Sequence, residues 1–400
     1  MIKLQPDIDP VTPATWYWGP GNRWSYRNMR RLFPTACIWR GTGPVAPLAM
    51  KPQAVDHVTF HDPVSKREMT IAEMYAATFT DGFLVLKDGT IAVERYFNGM
   101  QAHDLHLLMS VSKSVAGSLT GISVERGQLD LDKLVTDYVP ELIGTAYDGA
   151  TVRHALDMQI SMDFDYDETS PTSDIHRMDE SVNWVPRGPQ ACMGVKHFLT
   201  TLKTRLAEHG RLFDYQTQQT NVLTWCLERA TGRDYADLLS ADLWQKLGAE
   251  QDAALVLDGV QSGYTPAGLN MCLRDLGRFG QMMLQNGVYN GQRIVPEEWI
   301  ADIRRNGSAA AWADEPDNRT RDSMAGFAHG SYRSFWYVAD PARERYMALG
   351  LAGQMMVVDI RANIVAVKFS ASPSLNDGES AFITQYHAID AIIAALAGEA

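Results

Sequence analysis

The sequence predicts an α+β fold in which one antiparallel sheet is built from both ends of the chain and flanked by helices. Three observations support it: a hairpin pattern near the N-terminal end, short helical patterns in the middle, and four consecutive strand patterns near the C-terminal end. Strands at both ends with helices between them indicate a mostly helical inserted domain. We therefore assign residues 1–130 and 261–400 to a discontinuous sheet domain, and residues 131–260 to the insertion.

The hairpin is predicted over residues 82–97, where two apolar runs flank Lys87-Asp88-Gly89. Asp-Gly between apolar runs is a strong signal for a tight turn. The C-terminal strands are predicted at residues 334–339, 345–350, 354–360 and 364–369, and an amphipathic helix at residues 381–397 follows them.

Helical patterns are predicted between these strand regions. One begins at Ser110, carries apolar residues at spacings of two to four, and ends near Arg126, because Gly127 is a natural C-terminal stop. The others are expected at residues 194–206, 220–231, 235–247, 273–285 and 296–305. Residues 1–50 are expected to be mostly irregular, with a short helix near residues 27–32.

Composition narrows the functional classes. Of the 400 residues, 46% are hydrophobic and 21% are charged, which is typical of a folded protein. The net charge of −12 argues against a nucleic-acid partner, because phosphate binding needs a basic surface. We see no signal peptide and no apolar run long enough for a transmembrane helix.

The cysteine pattern favours a reducing compartment. Four well-separated cysteines lie in apolar surroundings and are interpreted as buried free thiols: Cys37, Cys192, Cys226 and Cys272. The chain has no zinc-ligand pattern, so we expect neither a metal nor an organic cofactor. The expected location is the cytoplasm.

Ser110-Val-Ser-Lys113 is the first candidate catalytic element. Residues three apart share one face of a helix, so the hydroxyl and the amine can be within hydrogen-bonding distance. A serine needs a base to act as a nucleophile, and a lysine can serve when burial lowers its pKa. A nucleophile in the first turn also lies at the positive end of the helix, where its own N–H can bind an oxyanion.

A Ser-x-x-Lys match is weak by itself, because average composition gives on the order of one in a chain of this length. The alternative interpretation is a polar helix start. The apolar segment Leu107-Leu-Met109 before it and the small residues Ala116-Gly-Ser118 after it favour a tightly packed catalytic helix.

Longer segments resemble the nylon-oligomer (aminohexanoate-dimer) hydrolases. These segments are His106-Leu-Leu-Met-Ser-Val-Ser-Lys-Ser, Val139-Pro-Glu-Leu and Leu156-Asp-Met-Gln-Ile-Ser-Met-Asp. That family shares the fold of class C β-lactamases and DD-peptidases, which is a β-lactamase/transpeptidase-like fold. The resemblance implies a serine hydrolase with Ser110 as nucleophile and Lys113 as base.

The resemblance also implies a catalytic tyrosine. Phe213-Asp-Tyr-Gln-Thr217 matches the family's second motif, so Tyr215 would relay a proton to the leaving group and Thr217 would contact the substrate. Without the resemblance, Tyr215 is better explained by core or loop packing.

The third motif departs from the β-lactamase pattern. Gly350-Leu-Ala-Gly-Gln354 keeps the glycine for close approach but has no Lys, Thr or His before it. We expect a backbone N–H from this strand, around Leu351, Gly353 and Gln354, to complete an oxyanion hole with that of Ser110. The missing cation argues against a β-lactam substrate.

The resemblance places four further residues at the substrate. Glu168 aligns with a substrate-lining tyrosine, and Tyr166 replaces it if the alignment shifts. Asp179 aligns with an acidic residue that contacts the substrate amine, and Trp184 with a pocket tryptophan. The alternatives are a solvated acidic loop for Glu168 and Asp179 and simple packing for Trp184. The acidic segment 163–168 favours a cationic or neutral substrate.

The predicted function is hydrolysis of a small linear amide or ester through an acyl-enzyme on Ser110, with the active site at the junction of the two domains. Two alternatives stay open: a carboxylesterase of short acyl esters without amidase activity, and a catalytically silent binding protein of this fold. We expect a small-molecule substrate and neither nucleic acid nor membrane as a partner, and we leave a homodimer open.

Overall fold

The computed structural model describes residues 11–167, 170–313 and 330–398. Strands in these ranges form four sheets. In chain order the strands are β1 Thr35–Ile38, β2 Thr59–Asp62, β3 Arg67–Thr70, β4 Thr80–Lys87, β5 Thr90–Tyr96, β6 His106–Leu107, β7 Ala253–Val256, β8 Leu269–Met271, β9 Val288–Tyr289, β10 Gln292–Arg293, β11 Ser331–Arg333, β12 Trp336–Asp340, β13 Arg345–Gly350, β14 Gln354–Asp359 and β15 Ile364–Ser370.

Helices cover both faces of the main sheet and fill the middle of the chain. Their bounds are Asn22–Ser25, Met29–Leu32, Ile71–Ala77, Val111–Glu125, Val135–Tyr138, Val152–Leu156, Asp174–Ser181, Val195–Leu199, Gln218–Thr231, Tyr235–Leu239, Gln245–Leu247, Leu273–Leu284, Glu297–Arg305, Ala309–Ala313 and Leu375–Ala397. A π-helical turn, Ser240–Trp244, joins two of them.

The main sheet has seven antiparallel strands in the order β11-β12-β13-β14-β15-β4-β5. Its centre is the pairing of β15 with β4, which joins the C-terminal strands to the N-terminal hairpin. That hairpin turns at Asp88 and Gly89, which have positive φ of 52° and 74°, as a tight two-residue turn requires. The α+β fold with a sheet built from both ends of the chain is thereby confirmed.

A second sheet was not predicted. Its order is β1-β7-β8-β6, so strands from the N-terminal part pair with strands that follow the helical region. The register joins Thr35 to Val256 and His106 to Met271. The domain boundaries at residues 130 and 260 stay a prediction.

Two predicted elements were wrong in extent. The helix expected over 194–206 ends at Leu199, because the carbonyls of Leu202 and Thr204 accept hydrogen bonds from neighbouring loops at Ala146 and Asp163. The strand expected from residue 334 begins at Trp336. Ser334 and Phe335, with φ of 51° and 65°, instead form the turn between β11 and β12.

The helix Val111–Glu125 lies between the sheet and the helical region, and its residues from Val111 to Ser123 are buried. It packs on β12, β13 and β14, and on the helix Gln218–Thr231. Glycines allow this contact: a Cβ on Gly117 would lie 2.2 Å from the backbone oxygen of Ser334. The sequence-predicted catalytic helix therefore occupies the expected place.

The C-terminal helix Leu375–Ala397 begins before the predicted residue 381. Among the described residues it is the one helix whose length and mean hydropathy of 1.2 would permit a membrane span, a property that core helices share. Its residue Thr384 is buried and donates a hydrogen bond to Asp62.

All four cysteines are free, but only Cys226 and Cys272 are buried. The expectation of four buried thiols was therefore wrong for the exposed Cys37 and the half-buried Cys192.

Candidate active site

Ser110 occupies the N-cap position of the buried helix Val111–Glu125, and its side chain makes no capping hydrogen bond. Met109, directly before it, has a φ of 48°, a region that side-chain-bearing residues rarely occupy. Local strain of this kind costs on the order of 1–3 kcal/mol and needs support from the surrounding fold. Here Leu108 is hydrogen-bonded through its N–H to Leu269, which fixes the chain just before the turn.

Lys113 lies one helical turn after Ser110, with Nζ 2.6 Å from Ser110 Oγ. The amine also donates to the carbonyl of Pro266 at 3.1 Å. Lys113 is 1% exposed, and no ion pair in the described part of the chain involves it. Burial therefore lowers the pKa of Lys113 well below its usual value. A neutral amine can donate to Pro266 and still offer its lone pair to the Ser110 proton.

Tyr215 lies just before the helix Gln218–Thr231 and lines the same cavity as Ser110. Lys113 Nζ is 5.2 Å from the centroid of its ring. Burial raises the pKa of Tyr215 to about 12, and hydrogen bonds to the side chains of Ser110 and Tyr337 oppose that rise. The phenol therefore keeps its proton at neutral pH and is available as a proton donor beside the nucleophile.

The end of β13 closes against Ser110 from the side of the sheet. A Cβ placed on Gly350 would lie 2.6 Å from the oxygen of Leu108 and 3.1 Å from the backbone nitrogen of Ser110. The turn Leu351–Gly353 follows, with positive φ at Ala352 and Gly353. Leu351 and Gly353 line the same cavity as Ser110. The turn is thus next to the nucleophile, where an oxyanion hole would be needed.

Gln354 is expected to contribute only through its backbone N–H, and that expectation stays a prediction. Its fully buried side chain lies behind the turn and does not line the cavity. It donates to the carbonyls of Leu351 and Ser370, and it accepts from the Ser370 backbone N–H. Gln354 therefore supports the turn from behind.

A cavity of about 270 Å³ opens over the nucleophile. Its walls are mostly aromatic and aliphatic, with backbone of the third-motif turn on one side. The lining residues are Tyr17, Met109, Ser110, Tyr166, Ile175, Asp179, Trp184, Tyr215, Thr217, Tyr264, Ala267, Tyr337, Leu349, Gly350, Leu351, Ala352, Gly353, Gly378 and Phe382.

Four of the five predicted substrate-binding residues line this cavity: Tyr166, Asp179, Trp184 and Thr217. The fifth, Glu168, lies outside the described residues. Tyr166 is fixed by accepting a hydrogen bond from the Thr217 backbone N–H at 2.9 Å. Trp184 packs edge-on against Tyr264, with ring centroids 4.6 Å apart.

The charge in the cavity comes from one carboxylate. Among the described residues that line it, Asp179 is the only acidic side chain, and none is a lysine or arginine. Of the acidic segment expected near the substrate, the exposed Asp163 and Asp165 do not line the cavity. Burial, and next the nearby Asp179 carboxylate, raise the pKa of the Tyr264 phenol well above its usual value. The site therefore favours a neutral or cationic group near Asp179.

Sequence reasoning missed several cavity residues, chiefly Tyr17, Tyr264, Tyr337 and Phe382. They come from four separate segments of the chain and belong to no motif that the sequence contains. Tyr337 follows Trp336 in β12, where four successive residues are apolar and buried, so no alternation in the sequence indicates which side chain faces the cavity.

Comparisons with known proteins agree with this geometry. The β-lactamase family model matches residues 70–386. A 6-aminohexanoate-dimer hydrolase from Paenarthrobacter ureafaciens is 36% identical over 363 residues, which cover 90% of this chain and 88% of that protein.

Solved structures give the same relationship. A candidate 6-aminohexanoate-dimer hydrolase from Bacillus anthracis superimposes with a TM-score of 0.87 at 27% identity, covering 98% of this chain and 99% of the other. A family VIII carboxylesterase shares the fold, with a TM-score of 0.56 at 14% identity, over 79% of this chain and 96% of that chain. The chain therefore belongs to the β-lactamase family, as one of its serine hydrolases.

Proposed function

We propose that the protein hydrolyses small linear amides whose acyl part carries an amino group, through an acyl-enzyme on Ser110. The observation that carries the proposal is the 2.6 Å contact between Lys113 Nζ and Ser110 Oγ under an aromatic cavity with one carboxylate. The relative from Paenarthrobacter ureafaciens, named for 6-aminohexanoate dimer, supports this substrate class.

Acylation begins when neutral Lys113 takes the Ser110 proton and Oγ forms a bond to the amide carbon. The resulting oxyanion is stabilised by the backbone N–H groups of Ser110 and the turn Leu351–Gly353. The C–N bond then breaks, and the leaving nitrogen takes the hydroxyl proton of Tyr215. The Lys113 ammonium returns a proton to Tyr215.

Deacylation follows the same path with water. Water gives one proton to neutral Lys113 as its oxygen bonds to the ester carbon. The bond between that carbon and Ser110 Oγ then breaks, and the Lys113 ammonium returns the proton to Ser110. The products are a carboxylic acid and an amine. No step requires a metal or an organic cofactor.

We assign to Asp179 the binding of a charged group on the substrate. An ammonium group at the far end of the acyl chain would pair with its carboxylate among the rings of Tyr264 and Trp184. A cavity of about 270 Å³ suits a short linear chain. Because the lining residues that the structure describes include no cation, they offer a β-lactam carboxylate no cationic partner.

The two alternatives have less support. The silent-protein hypothesis does not explain why Ser110, Lys113 and Tyr215 keep their mutual contacts. The carboxylesterase hypothesis differs only in the leaving group, and the raised pKa of Tyr215 supports a proton donor for the harder amide reaction. We further propose a cytoplasmic location, which the four free thiols support; a homodimer stays open.

The test is a screen of the purified protein with 6-aminohexanoate dimer, p-nitrophenyl esters and nitrocefin. We expect hydrolysis of the dimer and of the esters, little hydrolysis of nitrocefin, and none of any substrate by Ser110→Ala. Matched amides with an ammonium or a carboxylate at the far end of the acyl chain test the role of Asp179. The cationic amide should be preferred by wild type and lose that preference in Asp179→Asn, and a preference for the anion would refute the assignment.

A further inference from the structure

A buried chain of hydrogen bonds lies behind the turn Leu351–Gly353. Its side chains belong to Gln354 on β14 and to Lys368 and Ser370 on β15, and all three are fully buried. None of the three lines the cavity, and the proposed reaction uses none of them. Burying a lysine lowers stability rather than adding to it, so packing alone does not explain Lys368.

Gln354 connects the turn to β15. Its amide nitrogen donates to the carbonyls of Leu351 at 3.3 Å and Ser370 at 2.5 Å, and its amide oxygen accepts from the Ser370 backbone N–H at 3.1 Å. Two carbonyl partners and one N–H partner fix which amide atom is the nitrogen. Both backbone groups of Ser370 therefore hold the side chain that in turn holds Leu351.

Ser370 also packs directly on the turn. A Cβ placed on Gly353 would lie 2.9 Å from Ser370 Cβ and 3.2 Å from its Oγ, so the serine side chain lies against the glycine backbone. Ala352 and Gly353 have φ of 59° and 93°, which is unfavourable for Ala352 and persists only where neighbours hold it. The Ala352 carbonyl accepts from the Ser372 N–H at 3.2 Å. The conformation of the turn therefore depends on the end of β15 and the residues after it.

Lys368 fixes the side chain of Ser370. Its Nζ donates to the Ser370 hydroxyl and, at 3.1 Å, to the carbonyl of Thr78, two residues before β4. Since β4 pairs with β15, the lysine joins the two strands at the end that lies beside the turn. The Ser370 hydroxyl is thereby held in one orientation against Gly353. The chain of hydrogen bonds thus runs without a break from Thr78 to the turn.

We propose that Lys368 is a positioning residue of the reaction: through Ser370 it holds the turn Leu351–Gly353 where its backbone N–H groups can bind the oxyanion. The inference rests on the proposed acyl-enzyme mechanism on Ser110. Lys368 does not line the cavity, so it acts on the reaction only through the turn. A displaced donor binds the oxyanion less well and leaves the cavity walls in place. Loss of Lys368 therefore weakens transition-state binding and not substrate binding.

The consequence is a loss of rate that is the same for every substrate. An oxyanion forms on the carbonyl of an ester and of an amide alike, so the leaving group does not alter the effect. A boronic acid adds to the serine Oγ as a tetrahedral adduct with an oxygen in the same hole, so its inhibition constant should change in step with kcat/KM. A variant that merely folds less well has fewer active molecules, but those molecules bind the boronic acid as wild type does.

The experiment measures kcat, KM and the inhibition constant of phenylboronic acid for Lys368→Met, Ser370→Ala and the double variant, with active molecules counted by a serine-reactive fluorophosphonate. In each single variant we expect kcat to fall about tenfold on an ester and an amide of one acyl group, and the inhibition constant to rise by the same factor. KM should stay within about twofold. Lys87→Met is the matched control, because it removes a lysine bond to the Ala362 carbonyl at the other end of the same strand pair, and it should behave as wild type.

The double variant tests the route through Ser370. Because Lys368 acts through that side chain, adding Lys368→Met to Ser370→Ala should cost no further activity. An unchanged kcat in Lys368→Met, a fall in kcat without the rise in the inhibition constant, or losses that multiply in the double variant would overturn the proposal. The inhibition constant refers to folded molecules only, so a variant of lower stability still decides the question.

Failure of the proposed function is a distinct result. Wild type would then not react with the fluorophosphonate, or Ser110→Ala would stay active.

Discussion

Lys113 must be neutral to act as a base, and its surroundings favour that form. Its Nζ has the Ser110 hydroxyl and the Pro266 carbonyl as hydrogen-bonding partners, and it is buried away from water. Burial lowers the pKa of Lys113 well below its usual value, so the amine loses its proton at a lower pH than a lysine in solution does. A proton on Lys113 blocks attack by Ser110.

The pH profile of kcat/KM should show this directly. Activity should rise with pH as Lys113 loses its proton, and it should reach a plateau well below pH 10.5, the value for an unperturbed lysine. Lys113→Arg keeps a cation that does not lose its proton, so kcat/KM should fall by a factor on the order of 10² or more. A wild-type profile that rises only near the solution value, or an active Lys113→Arg variant, would contradict the assignment.

The pair of Ser110 and Lys113 could be predicted from the sequence, because helical geometry converts a spacing of three residues into proximity. Tyr337 could not, because a strand residue faces a given cavity only once the pairing of its strand is known. Tyr264 could not, because it lies in the connection between β7 and β8 and no local pattern gives its direction. The supporting role of the Gln354 side chain could not be predicted either, because a motif position gives no side-chain direction, and this side chain turns to Ser370 behind the turn.

At the scale of elements, the buried helix Val111–Glu125 depends on small residues where it crosses other elements. Gly117 faces the turn at Ser334, and Gly121 faces the ring of Trp299. The hydroxyl of Ser114 donates to the carbonyl of Phe335 at 2.6 Å, which ties the helix to the same turn. The position of Ser110 therefore depends on a close contact between helix and hairpin.

Gly117→Ala should destabilise the protein. The added methyl group would meet the backbone oxygen of Ser334 at 2.2 Å, and a backbone group cannot rotate away. We expect a loss of about 1–3 kcal/mol in the free energy of unfolding, measured by urea denaturation. Gly378→Ala is the control, because its methyl group would lie 3.6 Å from Ala352 and the helix gains propensity. A Gly117→Ala variant as stable as wild type would disprove the close packing.

The elements that could be predicted were those with local signals. Asp88-Gly89 gave the hairpin of β4 and β5, and closely spaced apolar runs gave β13, β14 and β15. The pairing of β1 with β7 left no such signal, because its partners are far apart in the sequence. The predicted helix after Leu199 failed where loop contacts of the backbone replaced helical hydrogen bonds.

At the scale of the whole molecule, a second buried lysine makes stability depend on pH. Lys368 on β15 is fully buried, and its Nζ donates to the Thr78 carbonyl and to the Ser370 hydroxyl. Burial lowers the pKa of Lys368 to about 7, while the nearby Asp81 carboxylate favours the charged form and Arg23 disfavours it. His106 lies 3.5 Å from the same carboxylate.

The direction in which the free energy of unfolding changes with pH follows from the protons bound in the folded and unfolded states. Between pH 7 and 10.5 the unfolded chain keeps a proton on Lys368 that the folded protein has lost, so the free energy of unfolding rises with pH over this window. Below pH 7 both states are protonated, and the cost of burying the charge is fully present.

Lys368→Met should flatten the rise in stability between pH 7 and 9.5, measured by urea denaturation at a series of pH values. Lys51→Met, which changes an exposed lysine, should keep the wild-type slope. Equal slopes for Lys368→Met and wild type would show that Lys368 keeps its proton in the folded state.

The central claim is that Ser110 is the nucleophile of an acyl-enzyme mechanism. The most direct measurement is mass spectrometry of the intact protein and its peptides after reaction with a serine-reactive fluorophosphonate, together with residual hydrolysis of a p-nitrophenyl ester. We predict one adduct, located on Ser110, that forms in step with loss of activity, and a Ser110→Ala variant that folds but neither labels nor hydrolyses. An adduct on another residue, or hydrolysis that survives in Ser110→Ala, would contradict the claim.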